Sequence, residues 1–98
     1  MSAYFVYILA NEKNGTLYVG YTIDLNRRVY EHKQKFIDSF TKKYSVSQLV
    51  YFEIYDDLKT AMEREHRLKK WRRKWKIDLI EKTNGDWRDL YYELLTLP

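Results

Sequence analysis

Two runs of β-branched and aromatic residues, Tyr4 to Ala10 and Thr16 to Thr22, flank a short polar stretch that ends in Asn14-Gly15. This is a strong local signal for a β-hairpin, because Asn and Gly accept the backbone angles of a turn while the flanking side chains suit a pleated surface. A four-residue loop from Glu12 to Gly15 sets Asn11 opposite Thr16, and the register that follows places Tyr7 opposite Gly20 and Leu9 opposite Tyr18. Side chains alternate between faces, so Tyr7 and Tyr18 share one face while Val6, Ile8, Leu17 and Val19 take the other. The aliphatic face is expected to pack under a helix. A shift of one residue would separate the tyrosines, so the pairing depends on the loop length.

Asp24 is placed to cap a helix running to about residue 35, with Leu25, Val29 and Phe36 as apolar contacts. Arg28 and His32, four apart, share a face of it. A polar loop through Ser39, Thr41 and Ser45 is expected to lead to a third strand, Leu49 to Tyr55. Asp56 or Asp57 caps the next helix, where Leu58, Ala61, Met62 and Leu68 follow the spacing of a buried stripe and Glu65 falls on the same stripe. Trp71, Trp75 and Leu79 continue an apolar helical face among Lys69, Lys70, Arg72, Arg73, Lys74 and Lys76. Asn84-Gly85 reads as a helix stop, Asp86 as a new cap, and Trp87, Leu90, Tyr91 and Leu94 as the docking face of a last helix. The order β-β-α-β-α-α-α describes an α+β fold, a three-stranded antiparallel sheet flanked by helices. With 98 residues, one domain spanning 1–98 is expected.

The chain has no cysteine, which excludes disulfides, thiolate zinc sites and cysteine nucleophiles. No run approaches the ~18 to 20 apolar residues of a membrane span, and the N-terminus lacks a signal-peptide pattern, so a soluble cytoplasmic protein without a membrane partner is expected. The net charge of +4 is unevenly spread, for residues 64–76 carry eight Lys or Arg against the single acidic Glu65. Such a cluster is the footprint of a polyanion partner, nucleic acid first, although a charge run taken alone is more often a solvated helix face.

Four side-chain types in this chain can together cleave a phosphodiester. Hydrolysis needs a base for water, a cation for the charge developing on phosphate, and a group that stabilises the leaving alkoxide. A tyrosine serves as base only where its pKa falls well below ~10, which neighbouring cationic or metal charge can bring about. Arg28 suits the non-bridging oxygens, with His32 beside it, and Glu65 suits one divalent, oxygen-seeking ion such as Mg²⁺. Each residue also has a plain structural reading: tyrosines pack strands, Arg28 and His32 pair on a surface, and an inward glutamate finds a structural cation.

The run Phe-Val-Tyr-Ile-Leu followed, with Tyr-to-Tyr spacing of eleven, by Tyr-Val-Gly resembles the GIY-YIG nuclease family, here written F-V-Y at 5–7 and Y-V-G at 18–20. The resemblance continues through Thr22, Asp24-Leu25, Arg27-Arg28 and His32, then F-T-K-K-Y at 40–44 and L-V-Y-F-E at 49–53. It closes with A-M-E-R-E-H-R-L-K-K-W at 61–71 and W-K-I-D-L-I-E at 75–81, and so spans nearly the whole chain. The sequence is most similar to short stand-alone bacterial members, and also to the N-terminal nuclease domain of excinuclease C and to homing endonucleases of this class. The resemblance implies that Tyr7 and Tyr18 are active-site tyrosines, one of them the general base. It further implies that Arg28 is the catalytic arginine, His32 a supporting polar group, and Glu65 the ligand of a single Mg²⁺ or Mn²⁺. Gly20 would keep the strand surface open for the scissile phosphate. Arg27 also fits the arginine position, the i,i+4 relation to His32 favouring Arg28. Phe5 stands where the family name has Gly, and Gly85 follows Asn84 where close relatives commonly have Pro, which leaves a site role for Asn84 open.

These readings converge on a metal-dependent DNA endonuclease of low sequence specificity, or one selective for DNA structure, with the resemblance implying a link to DNA repair or recombination. Arg27, Lys69, Lys70, Arg72 and Arg73 would contact the phosphate backbone, which carries affinity without sequence information. Without a second domain to read bases, specificity is low or supplied by a protein partner. The competing reading is a nucleic-acid-binding module of the same fold that cleaves nothing. A third makes exposed Trp71 and Trp75 a protein-docking surface.

Overall fold

A computed structural model describes residues 3–35 and 39–96 of the chain. Phe36, expected among the contacts of the first helix, lies outside the described residues. The hairpin forms as its sequence dictates: β1 (Tyr4–Ala10) and β2 (Leu17–Thr22) pair antiparallel, with Tyr7 opposite Gly20 and Leu9 opposite Tyr18. Asn14 takes the left-handed conformation of the turn, at φ 59. Gly15 is required there for space, because a Cβ would lie 2.0 Å from Asn11 Oδ1, which accepts from the Thr16 amide at 2.9 Å. The third strand, β3 (Gln48–Tyr55), pairs antiparallel with the other side of β1, giving the order β2-β1-β3.

A central strand is covered on both faces, and β1 is accordingly buried without interruption from Val6 to Ala10. On one face Val6, Ile8 and Val19 pack with Ala61 and Leu68 of α3 (Leu58–Lys70) and Ile80 of α4 (Arg73–Thr83), as the aliphatic face of the hairpin predicts. On the other, Tyr7 and Leu9 pack with Leu25 and Val29 of α1 (Leu25–Lys33) and with Val46 and Leu49. Asp24 caps α1 by accepting from the Arg27 amide, and Asp57, of the two candidates, caps α3 by accepting from Thr60.

The structure departs from the sequence reading in four places. The segment expected as a polar loop contains a helix, α2 (Ser39–Tyr44); its inner side chain, Thr41, is buried, and Ser45 at φ 55 ends it. Leu58 and Met62 are exposed, so the buried stripe of α3 narrows to Ala61 and Leu68. The apolar face does not run on through Trp71, because the backbone of Trp71 and Arg72 is extended and α4 starts afresh at Arg73. Trp71 packs on the core while Trp75 is exposed, the two rings meeting edge to face at 6.1 Å. Finally, Asp86 caps nothing: the last helix is the single turn α5 (Tyr91–Leu94), and Asp89 accepts from the Tyr91 and Leu49 amides. Trp87 sits outside that helix at φ 57, buried in the first core, while Leu90, Tyr91 and Leu94 dock on the second as expected. Asn84 has a structural role in this region: it is buried, and its amide bonds the carbonyls of Val50 and Arg88 and the Arg88 amide.

Part of the cationic cluster also proves structural. Arg64 donates to Glu53 through Nε and Nη2 at 2.9 and 2.8 Å, and Tyr51 and Tyr55 donate to the same carboxylate. Burial pushes the Glu53 carboxyl up, but the hydrogen bonds from Arg64 and the two phenols outweigh it and hold the group below the ordinary carboxylate range. A pKa lowered by folding contributes stability above the unfolded-state value, which is lost as pH falls through the folded one. Arg64→Met would leave this carboxylate without its cation, and is expected to cost about 3 kcal/mol at neutral pH. Glu53→Gln should flatten the decline of thermal midpoint below about pH 4.5. Thermal melts between neutral and acid pH check both, and an unchanged acid limb in Glu53→Gln would show that another carboxylate governs it.

Candidate active site

Strand β2 forms one edge of the sheet, so side chains from both faces can meet around it. A cavity of about 350 Å³ lies there, lined by Tyr7, Tyr18, Gly20, Tyr21, Thr22, Ile23, Arg28 and Glu65. The tyrosines belong to the α1 face of the sheet and Glu65 to α3 on the opposite face; the cleft joins them past the edge strand. Four of the residues named from sequence as catalytic are thereby brought together.

Tyr7 is 1% exposed and its hydroxyl lies 3.2 Å from His32 Nε2. His32 is buried as well, and its Nδ1 lies 3.0 Å from Thr41 Oγ1 of α2. The histidine is therefore no surface partner of Arg28; it is buried behind Tyr7 and is not itself among the residues that line the cleft. The rings of Tyr7, Tyr18 and His32 form one cluster, with centroids 5.4 to 6.4 Å apart. Thr41 escaped the sequence reading because its segment read as loop, and only the helix turns its hydroxyl inward.

Gly20 stands directly opposite Tyr7, and a Cβ there would fall 2.5 Å from the Tyr7 hydroxyl oxygen and 3.1 Å from Tyr18 Cε2. The missing side chain is the room in which the Tyr7 phenol reaches across β2. Arg28 lines the cleft with its side chain 41% exposed, whereas Arg27, at 76%, lines a neighbouring pocket. Glu31 holds both, Oε1 at 3.4 Å from Arg28 Nε and Oε2 at 3.3 Å from Arg27 Nε. The choice of Arg28 over Arg27 as the cleft arginine follows from this placement.

The Glu65 side chain is largely covered, and Lys69 one turn on approaches its Oε2 at 3.2 Å. Among the described residues no three His, Cys, Asp or Glu side chains cluster as a metal cage. A lone carboxylate on an open cleft fits Mg²⁺ or Mn²⁺, ions that keep several waters and complete their shell with substrate phosphate. It does not fit a zinc site. Of the remaining basic candidates, Arg73 donates through Nη2 to the carbonyls of Asn14 and Gly15, at 2.6 Å each, clamping the hairpin turn to α4. Lys70 and Arg72 are exposed, Arg72 lying over the Trp75 ring, and none of Lys69, Lys70, Arg72 and Arg73 lines the cleft itself.

The antiparallel sheet with its edge-strand cleft takes its class from the family it matches, a nuclease-type domain. Residues 3–78 match the family described as the GIY-YIG catalytic domain, and the chain belongs to that family. It is 38% identical to a UPF0213 protein of Haloquadratum walsbyi over 80% of this chain and 86% of that one. It is 37% identical to a UPF0213 protein of Staphylococcus aureus over 83% of this chain and 98% of that one. The solution NMR structure of a UPF0213 protein from Bacillus halodurans superposes with a TM-score of 0.55 at 27% identity, covering 98% of this chain and 99% of the other. Members of the family are generally endonucleases, and nucleic acid is the substrate class that membership implies. Among the described residues no helix is long and apolar enough to cross a membrane.

Proposed function

We propose that the chain is a divalent-metal-dependent DNA endonuclease of low sequence specificity, acting as the nuclease step of a repair or recombination process. The observation that carries this reading is the single cleft in which two tyrosines, an arginine and a carboxylate converge around the edge strand. Arg28 meets the non-bridging oxygens of the scissile phosphate and offsets the charge that develops as the attacking oxygen joins phosphorus. Glu65 would hold the metal ion, which when bound supplies positive charge for the phosphate and the departing oxygen. Tyr7 takes the proton of the attacking water. In the tautomer whose Nδ1 donates to Thr41 Oγ1, His32 Nε2 accepts from the Tyr7 hydroxyl, so Tyr7 can hand its own proton to the imidazole as it receives one. No standing phenolate is then needed at neutral pH. Tyr18 packs beside it and orders the ring cluster.

The test is nicking of supercoiled plasmid, and cleavage of branched and single-stranded oligonucleotides, with Mg²⁺ or Mn²⁺ and with chelator. Tyr7→Phe keeps the ring and removes only the hydroxyl, and is expected to lower the rate by about 10² to 10⁴, the ordinary worth of a general base. Tyr18→Phe should fall less, by about tenfold. A Tyr7→Phe protein at the wild-type rate would remove Tyr7 from the chemistry, and binding without cleavage under every metal condition would favour the non-catalytic module instead.

A further inference from the structure

The aromatic cluster of the cleft does not end at Tyr18. The Phe40 ring stacks beside it at 6.3 Å and 30°, and Tyr44, one helical turn further along α2, lies 5.0 Å from Phe40. Both rings are open to solvent, Phe40 42% and Tyr44 44% exposed, so they are not core residues. Lys42 and Lys43 of the same helix are exposed, and Lys43 Nζ lies 5.4 Å from the Tyr44 ring. From β2 outward the surface thus reads as a row of three rings with the Lys43 ammonium beside it.

The row is fixed relative to the reactive hydroxyl. Thr41, between Phe40 and Lys42 in sequence, is buried and tied to His32, which in turn meets Tyr7. A six-residue helix has little stability of its own, and this hydrogen-bonded chain supplies a reason for it to dock where it does. Rings in a row with lysines alongside are the chemistry of a single-strand track: unpaired bases offer their π faces to aromatic side chains, while cations follow the phosphates. Paired bases keep their faces within the duplex stack and would meet only the lysines.

We infer that α2 is a binding platform for single-stranded DNA, on which unpaired nucleotides adjoining the scissile phosphate stack against Phe40 and Tyr44. The inference rests on the nuclease reading for the identity of the nucleic acid and adds its substrate class: single strands, or duplexes with an unpaired segment at the cleavage point.

The test compares affinities for a labelled oligothymidylate and for a blunt duplex of equal length, measured without cleavage in a Glu65→Ala background. Adding Phe40→Leu and Tyr44→Leu keeps apolar, helix-forming side chains and removes the rings; single-strand affinity is expected to fall about tenfold for each ring, with duplex affinity within about twofold. Adding Lys42→Ala and Lys43→Ala instead should weaken both ligands and reduce the salt slope by about two charges. Unchanged single-strand affinity in the ring variant, or equal losses on both ligands, overturns the platform. Because binding is read on intact DNA, a wild-type protein that binds with this pattern yet cleaves nothing would overturn the nuclease reading alone. Failure to bind either ligand overturns both.

Discussion

Glu65→Ala is expected to lower cleavage by about 10³-fold or more while leaving DNA affinity intact. The carboxylate is the acidic side chain lining the cleft, so its removal takes away the protein's direct hold on the metal ion, and electrostatic stabilisation of a phosphoryl transition state is worth several kcal/mol. Affinity should hold or rise, because Lys69 loses its partner 3.2 Å away and becomes available to phosphate. Chelator should abolish wild-type cleavage and have no further effect on the variant. Folding should change by less than about 1 kcal/mol, since among the described residues the carboxylate pairs only with a half-exposed lysine. Plasmid nicking beside a thermal melt checks these points together, and metal-dependent cleavage that survives the substitution would remove Glu65 as the ligand.

Gly20→Ala is also expected to damage activity, by about a factor of ten less and for a different reason. The new methyl group would stand 2.5 Å from the Tyr7 hydroxyl oxygen and 2.7 Å from Cζ, closer than such atoms pack. Tyr7 has no open space to move into, for it is fully buried among Leu9, Leu25, Val29 and Leu49 and held at His32, so any shift strains the packing. The phenol must shift, its contact with the imidazole breaks, and a displacement of that size costs about 10²-fold in rate. Overpacking should also destabilise by about 1 to 3 kcal/mol, which for a chain of this length lowers the thermal midpoint by roughly 10 °C. Gly85→Ala is the control, because a Cβ there meets nothing closer than the Glu81 carbonyl at 3.8 Å. Equal behaviour of the two variants would show that the Tyr7 ring has freedom the packing denies it.

The hairpin and the helix caps were legible because their causes are local. Asn14-Gly15 with a four-residue loop determines which residues oppose one another, so the sharing of a face by Tyr7 and Tyr18 follows from counting. Asp24 and Asp57 cap their helices because a short acceptor next to free amides acts within three residues. The spacing of Glu65 from Ala61 and Leu68 likewise put a carboxylate on the inner side of α3, although Leu58 and Met62 turn out to face solvent.

Other features had their causes at long range. His32 reads as a surface neighbour of Arg28 by helical spacing, yet it is buried because Tyr7, 25 residues away, and Thr41 of α2 supply both of its ring nitrogens with partners. The basic run of 64–76 reads as one patch, but Glu53 takes Arg64 and the hairpin turn takes Arg73, so charge that is contiguous in sequence is divided between packing and surface. Trp71 breaks the helix that its periodicity would extend, and Asp89 rather than Asp86 meets the start of α5.

By itself, then, the sequence determined the strand register, the helix caps and the side chains available for chemistry, since these depend on near neighbours and on side-chain period. Only the tertiary structure decided which of them meet. Placing β2 at the sheet edge lets a carboxylate from one face and tyrosines from the other line one cleft, and no periodicity encodes which strand ends at an edge.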